Sequence, residues 1–290
     1  MNNNMTALIS CFARCYHSKN SNIKIYNDTF AENILNDEEY NDISSNMKNG
    51  INFFNPNYTG NNPLEWIVNN QLAPSVLARS SFNERHLLNE IKLGLEQYVV
   101  LASGYDTSGY KVNSKVKVYE LDKMEMIKDK KKRIELSQIN NDNIHYISCD
   151  FNDNWINSLL TTDYDKSKKT FCSLLGISYY LDKKTFSNTI KTLSENISLG
   201  SCIIFDYPND EETENELTNQ KLAKGANEEM KSKYSYKDIV QISEESAMLI
   251  YEHLNSDNID KEFFYDYNTL NPENKIIAPK GISYCMLVKK

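Results

Sequence analysis

Residues 97–122 read Gln-Tyr-Val-Val-Leu-Ala-Ser-Gly-Tyr-Asp-Thr-Ser-Gly-Tyr-Lys-Val-Asn-Ser-Lys-Val-Lys-Val-Tyr-Glu-Leu-Asp, and this stretch predicts the fold. A first apolar run ends at the small-residue turn Ala102-Ser103-Gly104, and a second ends at two acids, Glu120 and Asp122. Short apolar runs are typical of buried parallel strands. A small-residue turn lets the backbone approach a ligand, and a carboxylate at the end of the next strand accepts hydrogen bonds from ribose hydroxyls. The stretch therefore predicts a nucleoside-binding site.

Composition limits the class of protein. The chain has 290 residues, of which 40% are hydrophobic, which is enough for one large α/β domain or two small ones. The net charge of −8 argues against nucleic acid as a partner, because phosphate binding needs clustered cations. No apolar run approaches the roughly 20 residues that span a bilayer, and the Asn-rich N-terminus has no cleavable signal pattern. We therefore expect a cytoplasmic protein with no membrane partner.

Metal binding is not expected from the cysteines and histidines. Cys11 and Cys15 lie near His17, but their spacing matches no usual zinc pattern and no second pair follows. The other cysteines fall mostly in predicted strands, where they behave as small buried apolar residues.

From residue 97 onward, apolar runs alternate with helical patterns. The runs predict seven strands, at residues 98–101, 116–121, 144–148, 171–175, 202–205, 248–251 and 284–288. Asp182 is a favourable N-cap for a helix over Phe186–Ile197. This alternation is typical of a mostly parallel sheet with helices on both faces.

Two segments outside this alternation are predicted to be helical. The first 95 residues carry no strong strand pattern, and Ser81-Phe82-Asn83-Glu84 has the form of a capping box, which predicts that a helix begins there. Residues 210–233 are highly charged and predict a helical insertion after strand five, at the carboxyl end of the sheet, where open α/β sheets hold ligands. A lid over the ligand and an ordinary surface helix both fit this segment.

Several candidate side chains have a structural interpretation beside the functional one. Arg79 can hold a carboxylate in its guanidinium fork or form a surface salt bridge. Asp150, after the third predicted strand, can accept from an adenine amino group or begin a helix. Glu120 and Asp122 can bind ribose or lie as surface acids at the end of a strand.

Other chemistries lack their motifs. Residues 102–107 do not fit G-x-G-x-x-G, which disfavours NAD and FAD. No G-x-S-x-G, H-E-x-x-H or P-loop pattern occurs, and His86, His145 and His253 have no triad spacing. Acyl-enzyme hydrolysis, zinc peptidase chemistry and P-loop phosphoryl transfer are therefore not supported.

An ordered set of motifs resembles a known family. The motifs are Ala78-Arg79-Ser80, Val99 to Thr107, Tyr119-Glu120-Leu121-Asp122, Cys149 to Trp155, and Gly176-Ile177-Ser178-Tyr179-Tyr180-Leu181. Over residues 5–290 they resemble the leucine carboxyl methyltransferase family, whose bacterial members are S-adenosylmethionine-dependent O-methyltransferases often linked to polyketide or other secondary metabolism. The resemblance implies a Rossmann-like class I methyltransferase sheet of seven mostly parallel strands, with the last strand inserted antiparallel. It places an N-terminal helical cap over residues 1–95 and the core over 96–290, in one domain.

The resemblance also implies the cofactor, S-adenosylmethionine, and the residues around it. From the methionine end to the adenine end these are Arg79 on the carboxylate, Gly104 beside the methionine with Ala102 and Asp106 in the same turn, Glu120 or Asp122 on the ribose, and Asp150 with Phe151 around the adenine. Tyr180 and Tyr207, which follow the ends of predicted strands on the expected ligand side, are candidates to line the pocket for a small-molecule or peptide acceptor, or else packing aromatics.

Two positions depart from the family's pattern. Ala102 stands where the family usually has the first glycine of Gly-Ala-Gly, and Leu175 stands where it tends to have an acid before the glycine that follows strand four. Either change can weaken cofactor binding, so a non-catalytic S-adenosylmethionine-binding protein is the alternative to an enzyme. A nicotinamide-dependent reductase fits the pattern less well.

Overall fold

A seven-stranded sheet forms the centre of the molecule. The computed structural model describes residues 5–140, 142–151, 153–211 and 231–290. The strands are β1 Gln97–Leu101, β2 Lys117–Asp122, β3 Ile144–Ser148, β4 Thr170–Leu174, β5 Cys202–Pro208, β6 Met248–Leu254 and β7 Ile282–Lys289. Their order is β3-β2-β1-β4-β5-β7-β6, with β1 to β5 parallel and β7 antiparallel to both of its neighbours. The predicted seven-stranded, mostly parallel α/β sheet is confirmed.

Helices precede the sheet and connect its strands. Before β1 lie α1 Met5–Asn20, α2 Ala31–Ile34, α3 Asp37–Asn49, α4 Ile51–Phe54, α5 Pro63–Ile67, a π-helical turn Val68–Leu72, and α6 Ala73–Lys92. Between the strands lie α7 Met124–Ser137, α8 Trp155–Leu160, α9 Lys183–Glu195, α10 Tyr236–Glu245, α11 Ser256–Ile259 and α12 Tyr265–Leu270. The insertion predicted over residues 210–233 lies, from 212 to 230, outside the described residues.

The two faces of the sheet bury separate sets of apolar side chains. Alternate residues of a strand point to opposite faces. Val100 and Ile204 therefore pack on one face with the N-terminal helices and α7, while Val99 and Ile203 pack on the other with α8, α9 and α10. Among the described residues no helix is both long and apolar enough to cross a bilayer.

Two predicted helix starts have different outcomes. Asp182 accepts from the backbone N–H of Thr185 and begins α9, as predicted. The start predicted at Ser81 is wrong, because α6 runs unbroken from Ala73 and has Pro74 in its first turn. The N–H groups of residues 82–84 are already bonded within the helix, so Ser81 Oγ instead donates to the carbonyl of Ile25 at 2.7 Å.

Candidate functional site

The candidate site lies where the parallel strands end, on both sides of the point at which the strand order reverses. β1 lies between β2 and β4, so β2 and β3 extend the sheet on one side of β1 and the later strands extend it on the other side. In open α/β sheets the crevice outside the carboxyl ends at such a point binds the ligand. The structure therefore brings together here the turn after β1, the ends of β2 and β5, and the turn after β4.

The turn after β1 has an unusual backbone. Ala102 has φ of 51° and Gly104 has φ of 44°, which are left-handed values that favour glycine. The backbone N–H of Gly104 donates to Asp122 Oδ2 at 2.7 Å, which ties this turn to the end of β2. A Cβ on Gly104 would lie 3.4 Å from the Cβ of Ala7, so α1 covers the turn closely.

The two acids of β2 occupy different environments. Glu120 is fully buried, and its Oε2 lies 2.6 Å from Nζ of the equally buried Lys130. Burial raises the pKa of Glu120, although Lys130 opposes the shift. Asp122 is only partly buried, at the end of the strand. Its Oδ1 accepts from the backbone N–H of Lys123 at 2.7 Å. The sequence could not separate these acids; in the structure only Asp122 of the two is partly exposed.

Arg79 reaches the site from α6. Its Nη1 lies 3.4 Å from Asp206 Oδ2 and its Nη2 lies 3.4 Å from Ser10 Oγ. The side chain is 18% exposed. These two long contacts use only two of the five N–H donors that a guanidinium carries, and the partner Asp206 is fully buried, so the pair does not lie on the surface.

Asp206, which the sequence analysis did not single out, lies at the end of β5 beside Arg79. Its Oδ1 accepts from the backbone N–H of Gly176 at 2.6 Å, and its Oδ2 accepts from the hydroxyl of Tyr179 at 3.1 Å. Leu175 itself is partly buried against the core under the N-terminal helices. The carboxylate beside the turn after β4 therefore comes from Asp206 on the neighbouring strand.

The remaining cofactor candidates lie around the same edge. Asp106 accepts from the backbone N–H of Ser108 at 2.7 Å, which stabilises the loop after β1. Asp150 is exposed after β3, and Phe151 is partly buried with its ring 5.7 Å from that of Trp155. Asp150 does not begin the next helix, because the N-cap of α8 is Asn154.

The two tyrosines proposed for the acceptor pocket differ in exposure. Tyr180 is partly exposed in the short helix Ser178–Tyr180 that follows β4. Tyr207 is 1% exposed, and its hydroxyl lies 2.6 Å from Nε2 of His253. Tyr207 points to the face of the sheet opposite to Asp206 and packs among Phe205 and Tyr234. These contacts favour the alternative interpretation of Tyr207 as a packing aromatic.

A buried polar network that the sequence analysis missed joins α1 to the loop after β1. Arg14 pairs with Asp28, and Asp28 Oδ2 also accepts from Thr107 Oγ1 at 2.7 Å. Arg14 follows Ala7 by seven residues, which is about two helical turns. The two residues therefore lie on the same side of α1, the side that faces the loop. An arginine within an otherwise apolar helix face was the available signal.

The arrangement fits an adenosine attached to an amino acid. Arg79 has unused donors that suit a carboxylate, and Asp122 keeps unused lone pairs that suit ribose hydroxyls, because a carboxylate has about four acceptor sites. In the described part of the chain no group of three or more His, Cys, Asp or Glu side chains could hold a metal ion.

Comparisons with known proteins show the family of the chain. Residues 7–194 match the model of the leucine carboxyl methyltransferase family. The chain is 35% identical to YktD of Bacillus subtilis (strain 168), provisionally named an S-adenosyl-L-methionine-dependent methyltransferase, over 99% of this chain and 98% of that protein.

Solved structures share the fold at low identity. A DUF574 family protein from Streptomyces avermitilis has a TM-score of 0.61 at 14% identity and covers 98% of this chain and 97% of its own. Magnesium protoporphyrin IX methyltransferase from Synechocystis PCC 6803, solved with bound S-adenosylhomocysteine, has a TM-score of 0.50 at 10% identity and covers 86% and 99%. These two likenesses concern the fold alone.

Proposed function

The chain belongs to the leucine carboxyl methyltransferase family and is an S-adenosylmethionine-dependent methyltransferase, and from this premise we propose that it methylates a carboxylate or hydroxyl oxygen of a small molecule or peptide. The alternatives of a non-catalytic binding protein and of a nicotinamide-dependent reductase are set aside, because the matched family and relative are methyltransferases. The observation that carries the proposed site is the partly exposed guanidinium of Arg79, which lies beside Gly176 in the turn after β4.

We assign the cofactor contacts as follows. Arg79 would hold the methionine carboxylate, because a guanidinium with unused donors binds a carboxylate in a fork. Asp122 would accept from the ribose hydroxyls, and Ala102, Gly104 and Asp106 would form the wall beside the methionine. Asp150 and Phe151 are proposed to border the adenine.

The chain itself contributes to the reaction by positioning the acceptor beside the cofactor and by excluding water. When bound, S-adenosylmethionine supplies an electrophilic methyl group on its sulfonium. The protein holds the acceptor oxygen in line with that group, which lowers the entropic barrier, and α1 covers the turn after β1, which limits water. A carboxylate acceptor is already ionised at neutral pH and needs no general base, whereas a hydroxyl would need one.

Transfer is tested with methyl-labelled S-adenosylmethionine and a panel of carboxylic acids, peptides and phenols. We expect label in at least one acceptor, released again by mild base if the product is a methyl ester. Binding of the cofactor with label appearing only on carbon or nitrogen of the acceptors would contradict O-methylation.

The role of Arg79 is tested by calorimetry with S-adenosylhomocysteine. Arg79→Ala should weaken binding by about 2 kcal/mol, the contribution of a hydrogen bond to a charged group. The matched control is Arg85→Ala on the same helix, because Arg85 pairs with Glu252 away from the site. Equal affinity of wild type and Arg79→Ala, with both folded by circular dichroism, would make the assignment wrong.

A further inference from the structure

The carboxylate of Asp206 contacts both Arg79 and the turn after β4, beside the proposed position of the cofactor's methionine. Asp206 is fully buried, and each of its oxygens has a separate partner. Oδ1 accepts from the N–H of Gly176 at 2.6 Å, and Oδ2 lies 3.4 Å from Nη1 of Arg79. Oδ2 also accepts from the hydroxyl of Tyr179 at 3.1 Å.

Electrostatics explains why Arg79 stays in this place. A buried carboxylate is costly unless a cation and hydrogen bonds compensate it. Arg79 is the cation that Asp206 contacts, and the guanidinium is still 18% exposed. Asp206 therefore contacts one terminal nitrogen of the guanidinium, Nη1, while Nη2 has only a 3.4 Å contact with Ser10 Oγ.

The turn after β4 is fitted to the same guanidinium. Gly176 has φ of +71°, and a Cβ there would lie only 2.8 Å from Nη1 of Arg79. The bond from Gly176 to Asp206 Oδ1 fixes this close approach. Asp206 contacts both Gly176 and Arg79, so it sets the distance between the turn after β4 and the guanidinium.

We propose that Asp206 is a positioning residue that orients the Arg79 fork for the amino-acid carboxylate of the cofactor. Its side chain is fully buried, so it acts through Arg79 and does not itself touch the ligand. The inference rests on the proposed role of Arg79 and adds to it the group that holds the guanidinium in place.

The test compares two ligands that differ in the carboxylate. S-adenosylhomocysteine carries the amino-acid group, whereas 5′-methylthioadenosine has the same adenosine and thioether without it. Asp206→Asn, which keeps the shape of the side chain and removes its charge, should raise the Kd for S-adenosylhomocysteine about tenfold, as expected for a weakened charge-assisted bond. The Kd for 5′-methylthioadenosine should change less than about twofold, because that ligand does not use Arg79.

An exposed aspartate that does not contact Arg79 provides the matched control. Asp182 caps α9, and asparagine is an equally good N-cap, so Asp182→Asn should leave both affinities unchanged. A purely structural role of Asp206 would weaken both ligands equally in Asp206→Asn, and that result would overturn the proposal. An unchanged Kd for S-adenosylhomocysteine would overturn it as well.

A second variant applies if Asp206→Asn does not fold. Tyr179→Phe removes one donor to Asp206 and keeps the ring, so we expect a smaller loss of about threefold for S-adenosylhomocysteine alone. No change for either ligand in a folded Tyr179→Phe would then count against the proposal. A wild-type protein that binds neither ligand would instead overturn the proposed cofactor site itself.

Discussion

Arg14 Nε donates to Asp28 Oδ2 at 2.7 Å, and both side chains are buried. Arg14 Nη2 also donates to the carbonyl oxygen of Tyr105 at 2.6 Å, and Thr107 donates to the same oxygen of Asp28. Tyr105 and Thr107 belong to the loop after β1, so this ion pair connects the N-terminal helices to the wall of the candidate site. Its strength bears on both folding and cofactor binding.

We expect Asp28→Asn to lower the free energy of unfolding by about 3 kcal/mol at pH 7, because it leaves the buried Arg14 without its anion. Burial alone would raise the pKa of Asp28, but Arg14 and the hydroxyl of Thr107 outweigh it and hold that pKa below the usual range. A lowered folded-state pKa stabilises the fold above the unfolded-state value of about 3.9, and this stabilisation is lost as the pH falls through the folded-state pKa.

Urea denaturation of wild type and Asp28→Asn between pH 7 and pH 3 measures this effect. The difference between the two proteins should be constant down to about pH 4 and shrink below it. Glu32→Gln is the control, because Glu32 pairs with Lys19 at the surface and such pairs contribute at most about 1 kcal/mol. A difference that persists unchanged at pH 3 would show that the charge of Asp28 is not what stabilises the fold.

The second prediction concerns Ala102, whose φ of 51° is unfavourable for a residue with a Cβ. The left-handed conformation destabilises the folded state by about 1–2 kcal/mol when the residue has a Cβ. Glycine removes that cost, but its greater entropy stabilises the unfolded state by about 0.4–1 kcal/mol. Ala102→Gly should therefore raise the free energy of unfolding by about 0.5 kcal/mol. It should also tighten S-adenosylhomocysteine binding, because it removes a methyl group from the proposed wall of the cofactor site.

Ala247 provides a control with the same backbone strain. It has φ of 52° and lies exposed after α10, far from the crevice. Ala247→Gly should stabilise the fold to a similar extent and leave cofactor affinity unchanged. Equal affinity of Ala102→Gly and wild type would show that the methyl group of Ala102 does not crowd the cofactor.

The sheet could be predicted from the sequence because each strand contains a short apolar run, and the runs of β1 and β2 end in small or acidic residues. Val99 and Val100 occupy β1 as expected, and Asp122 ends β2. Helix boundaries in the N-terminal part were harder. The sequence Ser81 to Glu84 has the pattern of a cap, but a cap acts only where backbone N–H groups are free, and α6 had already begun at Ala73.

The site could be predicted only where its residues lie next to a turn. Gly104 and Asp122 are close to each other because β1 and β2 pair in parallel. Asp206 was missed because an acid near the end of an apolar strand resembles a surface residue until its neighbours are known. Its partners Arg79 and Gly176 lie 127 and 30 residues away, and no local pattern reports such contacts.

The third prediction is a pH dependence of cofactor binding. Burial raises the pKa of Asp122, and the backbone N–H groups of Gly104 and Lys123 only partly oppose it. An ionised carboxylate accepts from both ribose hydroxyls, whereas a protonated one loses acceptor capacity. Affinity for S-adenosylhomocysteine should therefore fall as the pH is lowered, beginning at a higher pH than an ordinary aspartate would require.

Calorimetry from pH 8 to pH 4 checks this dependence. Asp122→Asn should bind more weakly at every pH and show a flatter profile, because its amide does not titrate. The control is Asp163→Asn, since Asp163 pairs with Lys117 at the opposite end of β2. If Asp122→Asn retained the wild-type profile, another group would be responsible for the pH dependence.

The fourth prediction separates the two tyrosines first considered for the acceptor pocket. Tyr207→Phe removes a hydrogen bond between the hydroxyl and His253 Nε2, which should lower the free energy of unfolding by about 1 kcal/mol. Because Tyr207 is buried on the face of the sheet away from Asp206, KM for the acceptor should not change.

Tyr180 should respond in the opposite way. Its side chain is partly exposed after β4, on the edge where Gly176 approaches Arg79, so Tyr180→Ala should alter KM for the acceptor more than it alters stability. Thermal unfolding and initial rates of both variants, measured with the acceptor found in the labelling panel, give the comparison. A raised KM in Tyr207→Phe together with an unchanged KM in Tyr180→Ala would contradict this assignment and place the acceptor pocket on the other face of the sheet, where Tyr207 packs.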